Sequence, residues 1–357
     1  MFSNVFLKSF RILLFPFALI YGLGVLIRNW LYDLKILRST SFGLPIVCVG
    51  NLAVGGTGKS PLVELLAEKL RHEFKVAILS RGYKRKTRGY ALATEHSTAL
   101  EIGDEPMQFN LKYPDIPIAV GEERLVAIPQ LLHDRPATQL IILDDAFQHR
   151  AIKAGLNILL TEYGNLFTHD FYLPTGDLRD QKSSYKRADI ILVTKCEHDL
   201  SFEEREKILM DIRALPHQKV FFTAIDYGEL YHIVYKTTTN LDEGKEVLLV
   251  SGIANPKPLK QKLENCCSGY QMMHYSDHHI YRIDDLREIR RKFEKMETPN
   301  KIILTTEKDA VRLLKFSKEL ESIPLYIIPI RHHFLFGEEQ PFMELIRRFI
   351  WDFKKDQ

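Results

Sequence analysis

Leu44-Pro45-Ile46-Val47-Cys48-Val49-Gly50-Asn51-Leu52-Ala53-Val54-Gly55-Gly56-Thr57-Gly58-Lys59-Ser60-Pro61, continuing into Leu62-Val63-Glu64-Leu65-Leu66-Ala67-Glu68-Lys69-Leu70, decides the fold. The apolar run Leu44 to Val49 has strand character, the glycines that follow form a loop, and the last stretch carries a helical pattern. Strand, glycine loop and helix in that order are what a P-loop requires. Glycines let the backbone bend so that successive N–H groups point at one phosphate cluster, and the helix N-terminus adds its partial positive charge. Gly55, Gly56, Thr57, Gly58, Lys59 and Ser60 are therefore the expected nucleotide-binding residues. Lys59 would reach the β- and γ-phosphates, and the Ser60 hydroxyl would ligate Mg²⁺. Pro61 falls in the first helical turn, where its missing N–H costs little. The loop departs from the usual spacing at one place, with Ala53 where the first glycine normally stands.

A P-loop needs a second acid for the metal, carried at the end of a neighbouring apolar strand. Gln139-Leu140-Ile141-Ile142-Leu143-Asp144-Asp145 supplies it, with Asp144 expected in the metal shell and Asp145 reaching the metal or its waters. A further strand, Asp189 to Thr194, ends in Thr194-Lys195-Cys196-Glu197, a partial match to the element by which GTPases read guanine.

Upstream, Ile12 to Ile27 is free of charge and bracketed by Arg11 and Arg28. As a helix it would be about 24 Å long, short of the ~30 Å hydrocarbon core unless the arginines snorkel. Basic residues on both sides (Lys8, Arg11; Arg28, Lys35, Arg38) give no orientation. A cleaved signal peptide fits poorly, since no A-x-A site follows; a buried core helix is the competing reading. The segment is expected to be a membrane-embedded or interfacial anchor, with the remainder in the cytosol.

The whole chain has 357 residues, 45% hydrophobic and 27% charged, which is globular usage and points to two or three domains. With 49 Lys and Arg against 46 Asp and Glu the net charge is +3, which argues against a nucleic-acid partner. Cys48, Cys196, Cys266 and Cys267 show no C-x-x-C spacing and are expected as reduced thiols.

Gly55-Gly56-Thr57-Gly58-Lys59-Ser60-Pro61, Ser80-Arg81-Gly82-Tyr83, Gly103-Asp104-Glu105-Pro106, Asp144-Asp145-Ala146-Phe147-Gln148-His149-Arg150 and Thr306-Glu307-Lys308-Asp309-Ala310-Val311 occur in that order. Together they resemble the tetraacyldisaccharide 4′-kinases, the lipid A 4′-kinases of Gram-negative bacteria, over nearly the whole chain. Ser60, Ala146 and Asp180 stand where the family usually has Thr, Gly and Glu. The resemblance implies ATP-dependent phosphorylation of the 4′-hydroxyl of tetraacyldisaccharide 1-phosphate at the cytoplasmic face of the inner membrane, whose lipids the anchor would meet. It implies Asp104 as the carboxylate that accepts the hydroxyl proton, paired with His278 or its neighbour His279. Glu105 would help hold the metal, and Arg124 would neutralise phosphate charge. Read locally, Gly103-Asp104-Glu105-Pro106 is a helix start, and Thr306 to Asp309 is a helix cap. The basic run Arg81, Lys84, Arg85, Lys86 and Arg88 suits anionic headgroups or the substrate's 1-phosphate.

The expected architecture is α/β, a P-loop NTPase-like three-layer lobe with a second, smaller α/β lobe and an N-terminal membrane-associated helix. Its expected boundaries are 1–35 for the helix, 36–222 for the kinase lobe, 223–245 for a β linker, and 246–357 for the second lobe with the C-terminal helix. Two other functions fit parts of the sequence: a membrane-tethered P-loop GTPase acting as regulator or metal chaperone, and a membrane-anchored ATPase subunit. The latter lacks the signature loop of its class.

Overall fold

The structure is a computed structural model and describes residues 11–355; Lys8 and the rest of the first ten residues lie outside the described residues. Among the described residues helix α1 (Phe15–Asp33) is followed by β1 (Ile46–Asn51), the glycine loop and α2 (Lys59–Leu70). Next in the first lobe are β2 (Val76–Ser80), β3 (Ala91–Leu92), α3 (Asp104–Lys112), β4 (Ile118–Val120), α4 (Arg124–Asp134), β5 (Leu140–Asp144), β6 (Leu156–Glu162), β7 (Ile190–Thr194), α5 (Phe202–Ile212) and β8 (Lys219–Tyr227). In the second lobe β9 (Leu230–His232), β10 (Thr238–Thr239), β11 (Glu246–Ser251), α6 (Lys257–Cys266), β12 (Gly269–His274), α7 (Ile283–Glu294), β13 (Lys301–Thr306), α8 (Glu307–Leu313) and β14 (Leu325–Ile328) form a smaller unit. The chain then returns through β15 (Ile330–Phe334) and ends in α9 (Glu339–Lys355).

The large sheet has the order β15-β8-β7-β6-β1-β5-β2-β4-β3. Its strands from β8 to β4 run parallel, and only the outer two are antiparallel to their neighbours. Strands covered on both faces are apolar throughout, and every residue of β1, β5 and β7 is buried. One face packs Val47 and Val49 against Leu62, Val63 and Leu66 of α2; the other packs Ile46 and Cys48 in a cluster with Ile128 and Leu131 of α4 and Ile208 and Ile212 of α5. The result is three layers, with the ends of β1, β2, β5 and β7 on one edge. The smaller sheet, β10-β9-β14-β13-β11-β12, packs Leu248, Val250 and Ile303 on Leu286 and Ile289 of α7.

Two expected boundaries are corrected. Residues 223–227 are not linker, because they complete β8 inside the large sheet, and β9 joins the small sheet beside β14 with β10 at its edge. The C-terminal helix does not belong to the second lobe. Phe342, Met343, Ile346 and Ile350 of α9 pack in the same cluster as Val47 and Leu62, and β15 pairs with β8. The second lobe is thus inserted between β8 and β15, and the two crossings touch where Gly228 N–H donates to Pro329 O at 2.9 Å.

Helix α1 buries only Ala18, Gly22 and Asn29, on one face, against the first lobe. A side chain at Gly22 would collide with the Tyr172 ring at 2.8 Å. Polar contacts fasten the helix, and Arg11 ahead of it, to the first lobe. Arg11 Nε donates to Pro174 O, Tyr21 OH to Arg179 O, Arg28 to Gln148 O, and Asn29 Nδ2 to Asp180 Oδ1 at 2.8 Å. Phe17, Leu19, Ile20, Leu23, Leu26, Ile27 and Trp30 stay exposed. The helix is long and apolar enough to cross a membrane by length and composition.

Candidate active site

Gly58 caps α2 in the left-handed region (φ 87°), and Pro61 occupies the first turn. Side chains at Gly55 and Gly56 would meet nothing within 4 Å, so the loop's mouth is open. Lys59 Nζ lies 3.4 Å from Gly55 O and 3.8 Å from Asp145 Oδ1. Thr57 turns inward instead, its Oγ1 accepting from Asn51 Nδ2 at 3.0 Å. Ser60 stands partly exposed in the first helical turn.

Parallel pairing sets Asp144 opposite Val49 at the end of β1 and brings Ser80 at the end of β2 beside it. Ser80 Oγ donates to Asp144 Oδ2 at 2.9 Å, while Asp144 Oδ1 is buried with no hydrogen-bond partner. Burial, reinforced by Glu105 and Asp145, pushes the Asp144 carboxyl up to about 7. Burial also raises Glu105, while Lys59 opposes it. In Asp145 burial is outweighed by Lys59 and Arg179, which hold the carboxyl below its usual range. An unspent buried oxygen beside two further carboxylates and a serine hydroxyl is a donor set that fits Mg²⁺, a hard cation that takes its other ligands from phosphate and water. Among the described residues no three His, Cys, Asp or Glu side chains form a closed metal cage.

The structure puts Arg124 elsewhere than the phosphate-facing position expected of it. The side chain is wholly buried, donating to Gly121 O at 2.6 Å and toward Asp144 O at 3.5 Å. Burial lowers it to about 10, opposed by the Asp144 charge. Its charge therefore stands behind the end of β5.

Asp104 opens α3, with Gly103 (φ 95°) at the N-cap pressed so close to Gly82 that a side chain there would lie 3.1 Å from Cα. Asp104 does not cap its own helix. Its Oδ2 lies 2.8 Å from His278 Nδ1, and Oδ1 accepts from Arg312 Nε at 2.9 Å. Burial opposes ionisation, yet Arg312 and His278 hold the Asp104 carboxyl below its usual range. His279 points away, 3.0 Å from Asp285 Oδ2. His278 has positive φ (64°), with the Tyr83 ring edge-on to it and Lys308 Nζ 3.5 Å from Nε2. Asp104 belongs to the first lobe and His278, Lys308 and Arg312 to the second, so the site lies between lobes.

Three cations escaped the sequence reading. Arg179 donates to Asp145 Oδ2 at 3.1 Å and to Asn51 Oδ1 at 2.6 Å. Lys308 and Arg312 sit one turn apart on α8. Thr306 does cap that helix, accepting from Asp309 N at 3.2 Å, but the motif also carries both cations to Asp104 and His278. A basic pair at i, i+4 was the available signal. Of the basic loop, Arg85 is spent internally on Glu122. Lys195 pairs with Glu162 at 3.1 Å.

The sequence profile of the Tetraacyldisaccharide-1-P 4′-kinase family matches residues 10–350. A tetraacyldisaccharide 4′-kinase of Flavobacterium johnsoniae is 45% identical over 95% of this chain and 97% of its own length. Those of Parabacteroides distasonis and Bacteroides thetaiotaomicron are 42% and 41% identical, over 96% and 93% of this chain and 95% and 91% of theirs. A crystal structure of LpxK from Aquifex aeolicus in complex with ATP superposes with a TM-score of 0.74 at 27% identity, covering 96% of this chain and 99% of that one. A two-lobed α/β fold with an open P-loop, an acid pair at the next strand end and this agreement over nearly the full length lead to one assignment: the chain belongs to the tetraacyldisaccharide 4′-kinase family, the phosphotransferases of lipid A biosynthesis.

Proposed function

We propose that the chain transfers the γ-phosphate of ATP to the 4′-hydroxyl of tetraacyldisaccharide 1-phosphate in the cleft between its lobes, at the cytoplasmic face of the inner membrane. The observation that carries this reading is the contact of His278 with Asp104 across the lobes, 2.8 Å long, beside the P-loop acids. Asp104 takes the hydroxyl proton as the sugar oxygen bonds to the γ-phosphorus and the bond to the β-phosphate oxygen breaks, releasing ADP. Arg312 favours the ionised carboxylate, which can accept the proton, and His278 orients it. Lys59 and the loop N–H groups bind the β- and γ-phosphates. Ser60 and Asp144 would hold Mg²⁺, with Asp145 and Glu105 about it, and the ion would neutralise charge on the transferring phosphoryl group. Arg124 acts from behind, fixing the main chain at Asp144.

The exposed apolar face of α1 supports an interfacial anchor. One side of the helix is committed to the first lobe, so the other lies in the headgroup and acyl boundary, where an acylated substrate resides. Transfer of labelled γ-phosphate from ATP to the lipid in detergent micelles tests the reading, with Asp104→Ala alongside. Wild-type transfer, nearly lost in the variant while ATP still binds, is the expected result. No transfer by folded, ATP-binding wild type would overturn it.

A further inference from the structure

His332 is a buried histidine that the phosphotransfer mechanism leaves without a task. It lies on β15, the strand that returns from the second lobe, and only 6% of its surface is exposed. Its Nε2 is 2.8 Å from Gly58 O, and its Nδ1 is 2.9 Å from Thr223 Oγ1. A carbonyl oxygen can only accept, so Nε2 carries the proton; Nδ1 of the neutral ring then accepts from the Thr223 hydroxyl. Burial pushes the imidazole down to about 4, which keeps that neutral form throughout the physiological range.

The neighbouring peptide is tied in the same way, with Thr194 Oγ1 donating to Thr57 O at 2.9 Å. In a planar trans peptide the N–H points opposite to the C=O. Carbonyls of Thr57 and Gly58 drawn toward Thr194 and His332 therefore turn the N–H groups of Gly58 and Lys59 the other way. These N–H groups sit at the start of α2, where no intrahelical acceptor exists for them. The imidazole lies hard against the loop: a side chain on Gly58 would stand 3.0 Å from His332 Cε1.

We propose that His332 is a positioning residue for nucleotide binding, its Nε2–H joining the Leu62 N–H, 3.2 Å away, in fixing the Gly58 carbonyl so that the Lys59 N–H faces the phosphates. The inference rests on the P-loop taking the phosphates of ATP. It assigns a function in the first lobe to a residue that lies 274 positions from Gly58 and enters only after the second lobe is complete.

The test measures ATP dissociation constants, and KM for ATP and for the lipid, on the full chain in detergent. The variants are His332→Leu, which removes the donor, and His332→Gln, which places an amide N–H at similar reach. The Leu variant is expected to weaken ATP about tenfold, the effect of one lost hydrogen bond to a loop that binds charge. Its KM for the lipid should stay unchanged, and Gln should restore most of the ATP affinity. Equal ATP affinity in wild type and a folded Leu variant would overturn the proposal. Should His332→Leu fail to fold, Thr223→Val decides: it frees the ring from its second tether, and weaker ATP binding supports the role, whereas wild-type affinity overturns it. A wild type that binds no ATP would instead remove the P-loop reading, and this inference with it.

Discussion

His278 Nδ1 meets Asp104 Oδ2 at 2.8 Å although the two side chains belong to different lobes, 174 residues apart. His279, the adjacent candidate, is engaged by Asp285 instead. Replacing His278 by Ala should therefore cut kcat by about 10²-fold or more, the scale of assisted proton transfer. His279→Ala should cost less than about threefold in the same assay. Equal losses in the two variants would remove the distinction.

Arg312 stabilises the ionised form of Asp104 against the opposing pull of burial. Arg312→Gln should raise the Asp104 pKa, so that protonation silences the base at a higher pH than in wild type. The acidic limb of the kcat/KM profile should move to higher pH. A limb that stays in place would mean that another group sets it.

Lys112, at the far end of α3, is pinned between two buried carboxylates, 2.7 Å from Glu307 Oε1 on α8 and in contact with Glu64 on α2. Removing one partner of a buried ionic cluster costs about 3 kcal/mol or more. Lys112→Met should lower the melting temperature by several degrees, and differential scanning calorimetry would register it.

Burial, and after it the Glu307 charge, pushes Glu64 up to about 7, outweighing Lys112. Folded Glu64 holds its proton more tightly than the unfolded chain does. Its contribution to stability is thus complete below about pH 4.5 and fades as the pH rises through about 7. Between pH 5 and 8 the wild-type melting temperature should fall more steeply than that of Glu64→Gln; parallel curves would contradict this.

Phe17 and Ile20 project from the exposed side of α1. If that side rests in lipid, each contributes about 1.5 kcal/mol or more of burial. The double change Phe17→Glu with Ile20→Glu should weaken sedimentation with anionic phospholipid vesicles by well over tenfold. Unaltered sedimentation would mean that another surface holds the membrane.

The glycine loop, its strand and its helix were legible in the sequence because their signals are local. Val47 and Val49 alternate with Ile46 and Cys48, glycines follow, and Leu62, Leu66 and Leu70 recur at helical spacing. Asp144 was legible for the same reason, as a carboxylate closing an apolar strand. Arg179 and Arg312 were not. Arg312 reaches Asp104 across 208 positions, and the i, i+4 pair it makes with Lys308 marks a basic helix face without saying where that face docks. The apolar stripe of α9 announced a buried helix face but not which sheet would bury it, which led to its assignment to the wrong lobe. Arg124 was named through the resemblance alone, and nothing local in the sequence showed that the packing of α4 would bury it against the main chain.

The return of β15 and α9 to the first sheet makes that lobe a closed circuit whose last link is made after the whole second lobe. While the protein is being synthesised, α2 lies beside a gap that Phe334, Phe342, Met343, Ile346 and Ile350 have yet to fill. The glycine loop likewise waits for the imidazole of His332. A ribosome stalled anywhere in the second lobe would thus release a product with the whole glycine loop in its sequence but an unsealed apolar surface behind it, a substrate for chaperones rather than a nucleotide-binding half. The surroundings of the phosphate loop are thus finished only by residues made after the second lobe.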